Sequence, residues 1–134
     1  MSRSGYSDDY EYMDLYRGTV DRAIKGKRGQ IFLRELRDAL DSMPEKRLIA
    51  DELRTSNGEV CALGALGEQR GIDLGGVDPE DTERLADIFN IARCLAAETV
   101  YMNDEYYGRL SPENRWQKMR QWVEEGLRKE SPEP

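Results

Sequence analysis

The chain of 134 residues contains no histidine. That excludes Ser-His-Asp and Cys-His catalysis, and any histidine-ligated metal. Its two cysteines fall short of the roughly four ligands that a zinc site needs. They also cannot supply a secreted disulfide framework, so a reducing cytoplasm is the expected compartment. No run of about 18 apolar residues occurs and the N-terminus carries no signal-peptide core, so no membrane association is expected. Neither a Walker loop nor an EF-hand pattern is present, and no cofactor or metal is expected.

What is there is charge. Hydrophobic residues make up 38% and charged residues 35%, with a formal net charge of -7. This composition describes a polar but foldable single domain, long enough to bury about two-thirds of its unfolded surface. Residues 1–12 have no aliphatic side chain after Met1 and read as a disordered arm, with 130–134 as a disordered tail. Residues 13–129 read as one compact, mainly α domain of about five helices.

The helices follow from apolar spacing. Met13, Tyr16, Val20, Ala23 and Ile24 share one face, and Gly26-Lys27-Arg28-Gly29 then breaks the pattern. Phe32, Leu33, Leu36, Ala39, Leu40 and Met43 form the next stripe until Pro44 stops it. Asp78-Pro79-Glu80-Asp81 has the chemistry of a helix start, as does Ser111-Pro112-Glu113-Asn114. Between those starts, Leu85, Ile88, Phe89, Ala92, Leu95, Ala96, Thr99 and Met102 keep one register. They predict a long central helix over 81–103, with Cys94, Ala97 and Tyr101 widening its apolar surface. Trp116, Met119, Val123 and Leu127, flanked by Trp122, place both tryptophans on a last helix covering that one. Residues 47–62 admit two readings: a short β-hairpin turning at Asn57-Gly58, or interrupted helix. The small residues of Cys61-Ala62-Leu63-Gly64-Ala65-Leu66-Gly67 suit a helix pressed against another backbone.

Charge divides along the chain. Residues 17–47 sum to +4, whereas residues 48–134 sum to -8. Lys25, Lys27 and Arg28 surround a glycine-flanked loop entering a helix N-terminus, where backbone N–H groups can hold a phosphate. The plainer reading is that these cations favour the end of the preceding helix. Cys61 would need a lowered pKa to act as a nucleophile. With no histidine, and with Glu59 beside it, a small buried residue is expected. The stretch Tyr101-Met102-Asn103-Asp104-Glu105-Tyr106-Tyr107 joins the adjacent carboxylates of Asp104 and Glu105 to aromatics at a helix end. Neighbouring carboxylates can bind a cation or form an acid–base pair, but a solvated loop or a partner-binding surface suits the stretch better. An acidic body can also imitate nucleic acid in a basic groove.

Pro44–Ala50, Gly58–Ala65, Asp78–Asp81, Asn103–Glu105 and Pro112–Glu124 together resemble an uncharacterised family of small bacteriophage and prophage proteins of proteobacteria. The resemblance spans most of 17–128, and Glu59-Val60-Cys61-Ala62-Leu63-Gly64-Ala65 is its most distinctive piece. It implies a bacterial-cytoplasm setting and a phage origin, and brings no catalytic residue. The expected function is a non-enzymatic accessory protein binding a bacterial protein or complex. Lys25, Lys27, Arg28, Asp104, Glu105, Tyr106 and Tyr107 are its candidate contacts. Three alternatives stay open: a small phosphate-handling or nucleic-acid-processing enzyme, direct DNA or RNA binding through the basic hairpin, and an acidic nucleic-acid mimic. Nucleic-acid binding is disfavoured by the net charge.

Overall fold

The computed structural model describes the backbone of residues 6–128, with side chains from Leu15 onward. Among these residues the fold is mainly helical, with almost no strand. In order come α1 (Tyr6–Lys25), α2 (Lys27–Ser42), α3 (Ala62–Gln69), α4 (Thr82–Phe89), α5 (Arg93–Tyr101), a π-helical turn (Met102–Tyr106) and α6 (Pro112–Gly126). The mainly α expectation holds. α1 starts inside the stretch read as an arm, and the tail 130–134 lies outside the described residues.

α2 is the hub. Phe32, Leu33, Leu36, Ala39 and Leu40 recur at helical spacing and are buried, each large side chain contributing about 1.5–3 kcal/mol. α3, α6 and α1 all pack against this helix. The last helix therefore covers α2, not the predicted 81–103 helix. Two polar clamps fix it there: Trp116 Nε1 donates to the Leu40 carbonyl at 3.1 Å, and the Arg120 guanidinium forks onto Asp41 at 2.7 and 3.1 Å. The α1–α2 corner is tighter than the sequence implied. Only Gly26 interrupts the two helices, because a side chain on Gly29 would overlap the Ala23 carbonyl. A glycine there permits close backbone contact, and the expected four-residue loop is one residue long.

The predicted long helix over 81–103 is two helices. Asn90 takes a left-handed conformation with φ 56°, and the Ile91 N–H returns to the Ala86 carbonyl at 3.1 Å. This is the Schellman arrangement that ends helices. Buried Ile91 then turns the chain into α5. Of the two aspartates in the Asp78–Asp81 start signal, the second is the cap. Asp81 caps the Arg84 N–H at 3.2 Å, while Asp78 closes a local turn on Glu80 N–H at 2.9 Å. Ser111, as predicted, caps the Asn114 N–H at 3.2 Å.

Residues 47–62 form neither of the expected elements. One antiparallel bridge joins Arg54 to Val60, around a turn in which Gly58 N–H bonds the Thr55 carbonyl at 3.0 Å. Gly58 has positive φ and Asn57 does not, so the two-residue Asn-Gly turn is absent. A ladder does not extend because α3 begins at Ala62 on one side and Asp51 takes φ 74° on the other. Leu48 O accepts from Arg115, and Ile49 O accepts from Asn103 Nδ2 at 2.9 Å. α3 presses its Gly64 against the Leu53 carbonyl, leaving no room for a Cβ.

Candidate functional site

At the end of α5 the helix widens. Tyr107 N–H reaches back five residues to the Met102 carbonyl at 2.9 Å, the π-helical spacing. This changes which side chains are neighbours. On an α-helix, residues five apart point about 140° away from each other. The wider turn returns Tyr106 to Tyr101, with ring centroids 6.4 Å apart and a 39° tilt. Both rings are exposed, Tyr101 by 45% and Tyr106 by 64%. Glu105 lies exposed beside Tyr106. Tyr107 is half-buried, packs on the core and meets Tyr106 edge-on at 5.0 Å.

The inward side of the same turn is held rigidly. Asn103, 2% exposed, accepts from the Ala62 N–H at 3.1 Å and donates to Ile49 O. It thus caps α3 and anchors the loop before the bridge. Its amide also donates to Asp104 at 2.7 Å. Asp104 accepts from the Asp51 N–H as well, and burial pushes its carboxyl above the usual carboxylate range. Asp51 itself sits at φ 74°, uncommon for a residue with a side chain. Below the turn, buried Arg115 donates to four carbonyls, those of Leu48, Tyr107, Gly108 and Leu110. One cation thereby fixes the whole 107–110 connection.

The predicted contacts separate into two places. Asp104, Glu105, Tyr106 and Tyr107 share the π-turn, but Asp104 is turned to the Asp51 loop and is not paired with Glu105. Lys25, Lys27 and Arg28 lie at the α1–α2 corner. Arg28 Nη1 donates to Asn90 Oδ1 at 3.1 Å, and the Lys25 carbonyl accepts from Arg128 Nη1 at 3.4 Å. Buried Gln30 closes that corner by bonding Ile24 O, Gly126 O and the Arg128 N–H. Lys27 and Arg28 stand in the first turn of α2, which has no side-chain cap and no acid. Lys25 ends α1, as the plainer reading expects, whereas Lys27 and Arg28 are not at that helix's C-terminus. No hydrogen bond or ion pair among the described residues joins this corner to the π-turn.

Other features are accounted for structurally. Cys61 precedes α3 and is buried, which pushes its thiol up to about 12. A groove of about 510 Å³ runs between the end of α2 and α3; of its carboxylates Glu45, Glu59 and Glu68, the last two pair with Arg47 and Arg54. Among the described residues no group of three or more His, Cys, Asp or Glu is placed to hold a metal ion. No described helix is long and apolar enough to cross a membrane.

Sequence reasoning placed Tyr101 in one stretch with Tyr106, and on the covered flank of a continuous helix, but missed that the two exposed rings meet; it also missed the supporting roles of Asn103 and Arg115. Spacing of i and i+5 carries no helical signal, and a buried arginine bonded only to carbonyls has no sequence mark. Comparison of the chain with protein-family models, with curated proteins and with solved structures found no match.

Proposed function

We propose that this chain is a non-enzymatic accessory protein that docks on a bacterial protein through the Tyr101–Tyr106 face of the π-turn. The observation that carries this reading is the pair of exposed rings side by side on a turn rigidly held from within. Tyrosines offer large contact area at small entropic cost, and a fixed surface loses little freedom on binding. The absence of histidine in the sequence and the inward turn of Asp104 weigh against acid–base catalysis here. The phage resemblance supports a host protein as partner and the bacterial cytoplasm as the place.

The test is capture from bacterial lysate on three immobilised samples: the native chain, Tyr101→Ala/Tyr106→Ala, and an exposed-surface control, Arg84→Ala. A partner held by the native chain and the control, and lost by the double variant, is expected. Capture that survives the double variant refutes the assignment. So does substrate turnover that depends on Asp104 or Glu105.

The α1–α2 corner favours a second reading, nucleic-acid binding, because Lys25, Lys27 and Arg28 are exposed around an uncapped helix start. That reading requires an affinity that falls steeply with salt and vanishes when all three become alanine.

A further inference from the structure

We infer that the π-turn face recognises an arginine side chain of its partner, an assignment that rests on the docking reading above and gives it a chemistry. Tyr101 and Tyr106 are both exposed aromatics, and Glu105 stands exposed between them in sequence. Among the described residues the Glu105 carboxylate makes no hydrogen bond and no ion pair. The chain's own Arg109, four residues on, does not pair with it either. Its carboxylate is therefore available to an incoming cation, on the same turn as rings whose faces carry negative potential.

Two cations could answer this arrangement, and they differ in shape. A guanidinium is planar and weakly hydrated, so it stacks on a tyrosine ring while its N–H fork meets a carboxylate. An ammonium is a compact, strongly hydrated point charge that gains less from the ring. Rings tilted by 39° at 6.4 Å offer a surface for stacking, and Glu105 directly precedes Tyr106 in the chain. Inner contacts from Asn103 and Arg115 fix the turn before binding, which lowers the cost of ordering. The chain's net charge of -7 favours approach of a cation.

The probes are a short, fluorescently labelled alternating Gly–Arg peptide and its Gly–Lys counterpart, each titrated against the full chain at low salt. An exposed cation–π contact is worth about 0.5–1 kcal/mol, so the preference for the arginine peptide over the lysine one is expected to reach at most about fivefold. Tyr106→Phe, which keeps the ring, retains that preference; Tyr106→Leu removes it. Glu105→Gln weakens the arginine peptide and flattens its salt dependence. Equal affinity for the two peptides, or a preference that survives Tyr106→Leu, overturns the arginine assignment. It does so even where Tyr101→Ala/Tyr106→Ala still abolishes partner capture, a result that leaves docking intact. Capture unaffected by that double variant overturns docking itself.

Discussion

Asn103 is the residue whose loss most directly tests how the π-turn is held. In Asn103→Leu the side chain keeps a similar volume but loses both hydrogen-bonding ends. The Ala62 N–H at the start of α3 then has no partner in a place where Ala62 is 0% exposed. The Ile49 carbonyl loses its donor as well. An unsatisfied buried group costs about 1–3 kcal/mol, and loss of a helix cap alone about 0.5–2. Burial of the new leucine returns part of this, so the net destabilisation expected is about 2–4 kcal/mol. Against a total stability of roughly 5–15 kcal/mol, that is a large fraction. In thermal unfolding the melting temperature drops by about 10 °C for a domain of this length. Urea titration should show the midpoint falling with the slope unchanged. A loss below about 0.5 kcal/mol would show that neither bond is made in the native protein.

Three further predictions follow from the same reasoning. Asp104 titrates above the ordinary carboxylate range because burial penalises its charge. Its protonated form thus favours the fold below the unfolded pKa, and that advantage is lost as pH rises through the folded value. Asp104→Asn should therefore match the native chain in acid and exceed it in urea stability at pH 7; the reverse order would refute the burial argument. Cys61, with its thiol at about 12, should resist a thiol reagent at pH 8 in native Cys94→Ser protein and react only after unfolding; rapid native labelling would contradict it. Lys27 stands at the positive end of α2 with no cap or acid nearby, so Lys27→Glu should raise stability by about 0.3–1 kcal/mol. A decrease in urea unfolding would refute that dipole argument.

Much of the helical framework was legible in the sequence. The stripe from Phe32 to Leu40 and the Ser111 cap were read correctly because both rest on local rules, apolar period and side-chain capping. The break at Asn90 was not, because Leu85, Ile88, Phe89, Ala92 and Leu95 keep apolar spacing across it. The break depends instead on one asparagine accepting positive φ. The corner at Gly26–Gly29 was misread for a related reason. Glycine signals a loop, yet Gly29 serves close packing inside a helix. At the site, Tyr106 and Glu105 were legible as exposed chemistry on a helix end. Their alignment with Tyr101 was not, since it depends on one extra residue per turn.

That alignment is the claim on which docking and arginine recognition both rest. It is measured most directly by proton NMR of the full chain, as nuclear Overhauser contacts between the Tyr101 and Tyr106 rings. Centroids 6.4 Å apart place ring edges close enough for a clear cross-peak, together with backbone contacts spanning Met102 to Tyr107. Absence of the ring contact, with the i-to-i+4 pattern of a continuous α-helix through 102–107, would contradict it.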